Sequence, residues 1–486
     1  VDREYKKEDK RDKKEVIDMM RNIFIGLDLG TQGIRGIAVD ERGDLVADSS
    51  LIFSSRVKDP NYWWDSCKSI LVDIFSKVKG NHILSIGVTS TSGTVVCIDK
   101  DGNPLREAFM YNEPEGSEES KLLNEKLQGL TSKLGYRFNA SYALPKILWI
   151  KGHLPEVFDK TRYFLSPTDF INYKLTGVIG VTDHTNALKF GFDLIDYIWP
   201  KEFAPLGIID KLPRVLNPGE FIGDLDVKEL ASKYTIPVIT GLTDGNSGQI
   251  ASGAVRVGDT ATTLGTTLVI KGVTKDLVKD NLGRFYSHLH PEGKSWFPGG
   301  SSNVGGEALE KVFSGRNYKE LDIKAESIIP TSIIVYPLVR RGERFPFVNP
   351  TAEGFVIGNP SSEEELYTGY LEGVAYTERL CYETLSKAGM LIGDSIYTVG
   401  GGAKSPLWMK IRASVINKTF KRPKMASSSM GVAILCASKT LYSSLEEATS
   451  KMIRIDLEVN PEKSLVSYYS EKYNQFLNAL IARGYM

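Results

Sequence analysis

The sequence predicts an α/β protein made of two similar halves around a shared cleft, and three observations predict it. A Leu29-Gly30-Thr31 motif recurs as Leu264-Gly265-Thr266 in the 486-residue chain, each time between two apolar, strand-like runs. After the first copy, further strand-like runs alternate with segments of helical spacing. Between the halves, Ala251 to Val257 holds no Pro/Gly/Ser-rich linker, so the units are expected to join tightly and hinge about the cleft.

Each copy of the motif reads as a β-hairpin, Phe24 to Asp40 in the first and Thr260 to Gly272 in the second. At a Gly-Thr turn, glycine permits positive φ and close approach, while backbone N–H groups and a threonine hydroxyl can point at an anion. Two such turns facing each other would grip a polyphosphate, whereas one alone would be an ordinary hairpin. Further strands are expected at Leu45 to Ser54, Ile83 to Thr89 and Val95 to Asp99, the last entering an Asp101-Gly-Asn turn. Helical spacing marks Cys67 to Val78 and Tyr142 to Lys151, the latter interrupted early by Pro145, and then Glu363 to Ala388 and Tyr468 to Arg483. In the last of these Tyr469, Tyr473, Phe476, Leu477 and Leu480 share one face, a stripe expected to be core.

Composition bounds the class. Hydrophobic residues make up 42%, charged residues 25%, and the formal net charge is zero, which fits a soluble globular chain of two or three domains. The neutral balance argues against nucleic acid as the main partner. Cys67, Cys97, Cys381 and Cys436 are too few and too scattered for a disulfide framework or a CxxC metal site, so a reducing compartment is expected. No membrane partner is expected, since the best apolar run, Ile328 to Val339, is short and broken by Pro330 and Pro337. The first residues form a mixed-charge arm, taken as 1–21, unlike a secretory or transit signal. The expected location is cytoplasmic, or an organelle stroma if the N-terminus is processed.

Four places carry chemistry. Asp28 ends the first strand just before the phosphate-type turn, where a carboxylate can hold Mg²⁺ through water or simply serve the turn. Arg35 on the next strand could neutralise phosphate charge. Asp244, in Thr240-Gly-Leu-Thr-Asp244-Gly-Asn-Ser-Gly-Gln249, sits where a strand opens into a helix; it suits a general base for a sugar hydroxyl, and equally an N-cap. Tyr397-Thr-Val-Gly-Gly-Gly-Ala-Lys404-Ser-Pro-Leu-Trp408 reads as strand, glycines and helix start, with room for an adenine ring on the backbone. It is not a Walker A loop, and neither is Gly293-Lys-Ser295, where His288 stands at the required first glycine. Finally, Trp63-Trp64-Asp65, Ser90 to Thr94, Tyr111-Asn112-Glu113 and Thr182 to Lys189 mix hydroxyl, amide, charged and aromatic groups as a sugar site needs, though each alone could be a turn or packing segment. His288-Leu-His290 lacks a nearby third ligand for zinc.

In this order the landmarks resemble the FGGY carbohydrate kinases of the actin-like ATPase superfamily, from about Ile23 to the end. They are Asp28 to Arg35, Asp59 to Trp64, Pro145 to Trp149, Pro167 to Gly177, Gly241 to Asp244, Val257 to Asp259 with Leu264 to Thr266, and Gly400 to Trp408. The resemblance implies two ribonuclease-H-like domains, a sugar-binding one over 22–254 and a nucleotide-binding one over 255–486. It implies ATP and Mg²⁺, with Asp244 as base and the metal near Asp28 and Asp244. Gly30, Thr31 and Gln32 would face phosphate together with Gly265 and Thr266, and Gly401, Gly402, Ala403 and Lys404 would lie by adenine. Ser92-Gly93-Thr94 stands where xylulose kinases usually have Met-His-Gly, and Tyr111-Asn112-Glu113 where many relatives have Trp-Asn-Asp. With Asn186 to Asp193, these segments look most like the D-ribulose kinase branch of cyanobacteria and plants. The expected reaction is phosphorylation of O5 of D-ribulose by a monomer or homodimer, with Ser92, Gly93, Thr94, Asn112 and Glu113 at the sugar and Ser92 orienting it. A xylulose or other polyol kinase of the same family is the alternative, and a non-catalytic actin-like ATPase scaffold a more distant one.

Overall fold

The computed structural model describes residues 20–230 and 234–486; the expectation for the charged arm therefore falls almost wholly outside them. Asn22–Gly30 (β1), Gly33–Asp40 (β2) and Leu45–Ile52 (β3) form an antiparallel meander, and His82–Ser90 (β4) then pairs parallel with β1. Phe221–Asp224 (β5), Pro237–Ile239 (β6) and Leu242–Thr243 (β7) complete a seven-stranded sheet of order β3-β2-β1-β4-β6-β5, with β7 also beside β4. The second half repeats this plan. Thr260–Leu264 (β8), Leu268–Gly272 (β9), Phe285–Leu289 (β10), Trp296–Ser302 (β11), Ser395–Val399 (β12), Thr419–Pro423 (β13) and Ile455–Val459 (β14) run in the order β10-β11-β9-β8-β12-β13-β14. In both sheets the hairpin strand carrying Leu-Gly-Thr is central, antiparallel to its successor and parallel to the strand on its other side.

Strand alternation sorts the first sheet's side chains onto two covered faces. Ile23, Ile25 and Leu27 join the core under Pro60–Lys77 (α1) and Pro167–Thr176 (α2). Phe24, facing the other way, joins the core with Asp244–Ser252 (α3) and Ser428–Thr440 (α6). A second-half core gathers Leu264, Ile270 and Ile396 with Glu363–Lys387 (α4), Pro406–Ile416 (α5) and Lys463–Ala482 (α7). A separate aromatic core, including Phe109, Tyr142, Phe164 and Phe203, packs the insertion between β4 and β5.

Most expected elements appear near their expected bounds, with two differences at helix starts. The helix expected from Cys67 begins at Pro60, because the Asp59 side chain accepts from the Asn61 amide at 2.9 Å and proline suits the first turn. The last helix begins at Lys463, with Tyr469, Tyr473, Phe476 and Leu480 buried and Leu477 packed on the core edge. One arrangement escapes sequence reading: α6 follows β13 of the second half yet packs against β1 and β4 of the first sheet.

Candidate active site

Parallel strands end together, and the site forms at those ends. Asp28 on β1 pairs in register with Thr89 on β4, and Leu242 on β7 pairs with the same Thr89. Thr89 also donates its hydroxyl to the Leu242 carbonyl at 2.7 Å, and the Thr243 amide donates to Thr185 Oγ1 at 3.0 Å. These bonds fix β7, so that Asp244 opens α3 beside Asp28.

Both carboxylates are half-buried. Loss of water raises Asp28 to about 7; the Asp244 charge adds to the rise and Arg35 opposes it. Burial likewise raises Asp244, against the Gly245 amide and the lysines Lys271 and Lys189, which favour its charged form. Among the described residues no group of three or more His, Cys, Asp or Glu side chains is arranged to hold a metal. A pair of neighbouring carboxylates resisting ionisation does fit a cation that shares them with phosphate oxygens and water, the coordination Mg²⁺ takes.

The two Gly-Thr turns are open at their tips. A Cβ on Gly265 would meet nothing within 4 Å, and one on Gly30 only the Gly33 carbonyl at 3.5 Å. Thr31 is half-buried, and Gln32 and Thr266 are exposed. The second turn is backed by Gly306, whose amide donates to the Gly265 carbonyl at 2.7 Å. The glycine run is pressed onto this turn: Gly400 has φ of 92°, and a Cβ on it would lie 2.5 Å from the Leu264 carbonyl oxygen. Gly401, Ala403 and Lys404 line a cavity of about 800 Å³ together with Arg35 and Ser427. Gly402 and Ala403 are buried, Gly402 against the Leu264 side chain, while the Ala403 carbonyl accepts from Arg422 at 3.0 Å; Gly401, Lys404 and Arg35 are exposed.

The expected sugar residues divide by environment. Ser92 is half-buried and Asn112 exposed. Gly93, with φ of 83°, lies where a Cβ would fall 2.0 Å from the Ser141 carbonyl oxygen. Thr94 is fully buried and its hydroxyl accepts from the Tyr111 amide at 3.2 Å, tying the Ser92 to Thr94 and Tyr111 to Glu113 segments together. Glu113 pairs with Lys58 and accepts from the Met110 amide at 2.8 Å. Trp63 is a core residue, and Asp183 spends its oxygens on Thr185 and Asn186.

Lys271 belongs to no motif in the sequence, and Lys189 is only the last residue of the polar segment Thr182 to Lys189. Lys271 Nζ donates to the Gly245 carbonyl at 2.6 Å, next to Asp244, and burial lowers its pKa to about 8. Its signal in the sequence is a lone cation inside the apolar run Leu268 to Val273.

Two family models match: the N-terminal domain of the FGGY family of carbohydrate kinases over residues 23–251 and its C-terminal domain over 260–440. The chain is 25% identical over 482 residues to a xylulose kinase of Staphylococcus epidermidis, covering 94% of this chain and 96% of that one. It is 28% identical to the xylulose kinase of Haemophilus influenzae, covering 94% and 99%. In fold it matches a xyloylose kinase structure from Brucella ovis with TM-score 0.87 at 22% identity, covering 95% of this chain and 99% of that one. Plasmodium falciparum glycerol kinase with ADP matches with TM-score 0.84 at 19% identity, covering 95% and 98%. Paired sheets of one topology, carboxylates at the strand ends between them and a match to both family domains lead to one conclusion: the chain belongs to the FGGY family of carbohydrate kinases.

Proposed function

We propose that the protein transfers the γ-phosphate of ATP to a primary hydroxyl of a pentulose, O5 of D-ribulose. The observation that carries the reading is the convergence of Asp28 and Asp244 at the strand ends, with an open Gly-Thr turn in each half. Asp244 takes the proton of the acceptor hydroxyl, the O5–P bond forms as the bond to the β-phosphate oxygen breaks, and ADP leaves. Bound Mg²⁺ would supply charge neutralisation at the phosphates, held by Asp28 and Asp244. Gly30, Thr31 and Gln32 with Gly265 and Thr266 position the phosphates, Gly401 to Lys404 and Arg35 hold the rest of the nucleotide, and alignment does most of the catalytic work.

In this reading sugar choice rests on the half-buried Ser92 hydroxyl, on a turn that Gly93 keeps tight and Thr94 anchors through the Tyr111 amide, with Asn112 and Glu113 alongside. The xylulose kinase names of the relatives favour D-xylulose as the second reading. A coupled ADP assay across D-ribulose, D-xylulose, pentitols and glycerol decides between them. The highest kcat/KM is expected on D-ribulose, and a clear preference for D-xylulose would overturn the choice.

A further inference from the structure

A cavity of about 360 Å³ lies between the halves, lined by Ser141 and Lys189 from the first and by Lys271, Tyr286, Ser301 and Arg344 from the second. It adjoins the sugar turn, because Ser141 is the residue that Gly93 packs against. Its charge is unbalanced. Lys189 is only 6% exposed, its ammonium 3.9 Å from the Tyr142 ring centroid and 4.8 Å from that of Tyr286. Among the described residues no carboxylate forms an ion pair with Lys189 or Lys271. The aromatic faces beside Lys189, and the Gly245 carbonyl and Asn246 Oδ1 beside the half-buried Lys271, offset only part of the cost of drawing two ammonium groups away from water.

A pair of cations set beside the general base, with no carboxylate in direct ion-pair contact, has a use in phosphoryl transfer. Before the reaction the acceptor side of the cleft meets a neutral sugar; afterwards it meets a phosphate dianion. Lys271 stands next to that change, on the strand that leaves the Gly265-Thr266 turn and against the first turn of α3. We propose that Lys271 and Lys189 bind the phosphoryl group as it passes to the acceptor and hold it on the product. This rests on the kinase reading above and adds phosphate-receiving residues to it. The bonds made and broken are those already given: the hydroxyl proton goes to Asp244, and the lysines form charge-assisted hydrogen bonds to phosphate oxygens.

Inorganic phosphate, D-ribulose 5-phosphate and D-ribulose are titrated by calorimetry into the full chain and its K271M, K189M and K271R variants. Each methionine variant should bind both phosphates about tenfold or more weakly, the loss of one charge-assisted bond, with D-ribulose changed less than twofold and K271R retaining phosphate affinity. Steady-state kcat should fall with little change in sugar KM. Unchanged phosphate affinity in K271M and K189M, or parallel loss of the neutral sugar, overturns the assignment. Melting curves identify a variant that has lost its fold, for which K271Q or K189Q is substituted. If the wild-type protein phosphorylates no pentulose, the substrate reading fails, while inorganic phosphate still tests the lysines.

Discussion

Gly431 of α6 lies so close to Ser247 of α3 that a Cβ on it would fall 1.8 Å from the Ser247 carbonyl oxygen. Ser247 in turn donates its hydroxyl to the Ser428 carbonyl at 2.6 Å. This contact joins a helix from each half of the sequence, and α3 is the helix that begins at Asp244. G431A is therefore expected to cost about 1–3 kcal/mol by overpacking and to lower kcat by shifting Asp244. Thermal melting with steady-state kinetics checks this against G129A, whose added methyl meets nothing within 4 Å and should leave both unchanged.

D244N should lower kcat by roughly 10²- to 10⁴-fold, the usual contribution of a general base. Nucleotide affinity measured by calorimetry should change far less. Unchanged turnover would remove Asp244 from the proton transfer.

Gly400 holds the glycine run against Leu264 in a conformation that disfavours a side chain. G400A should weaken nucleotide binding roughly tenfold, equivalent to ~1.4 kcal/mol of backbone strain. The KM for ATP should rise while the dissociation constant for the sugar stays constant.

Arg412 and Glu378 form an ion pair with both side chains fully buried, at 2.6 Å, and Glu378 also accepts from Thr262 on β8. R412L removes one partner and leaves the other charge in the core, so a loss of about 3–5 kcal/mol is expected. Denaturant unfolding of R412L and of R412L/E378L should show the double variant less destabilised than the single one.

Burial lowers His184 to about 3 and His290 to about 4, with the His290 charge a further cause at His184. Both bind a proton more readily when unfolded, near the ordinary value of 6.5. Their contribution is thus complete above pH 6.5 and is lost as pH falls towards 4, at about 1.4 kcal/mol per pH unit for each histidine. Melting temperature against pH should fall less steeply over that window in H184F than in the wild type.

Short-range patterns made much of this legible. The Leu-Gly-Thr copies, the Asp244 strand end and the Gly400 run each carry their own local chemistry, and each lies at the end of a strand as expected. Glu113 and Thr94 were less legible. Both suit a sugar contact by type, yet Lys58, the Met110 amide and the Tyr111 amide, brought up by the fold, occupy their polar atoms. Lys271 was hidden for the opposite reason: a lysine in a strand reads as solvated until the facing helix is known.

The sequence alone determined the α/β class, the duplication and the residues at each strand end, because strand periodicity and turn chemistry are local properties of the chain. Only the tertiary structure decided that α6 crosses to the first sheet and that Lys189 and Lys271 share a cavity between the halves. Such pairings depend on which apolar faces meet and how closely glycines let them approach, and residues far apart in sequence set both.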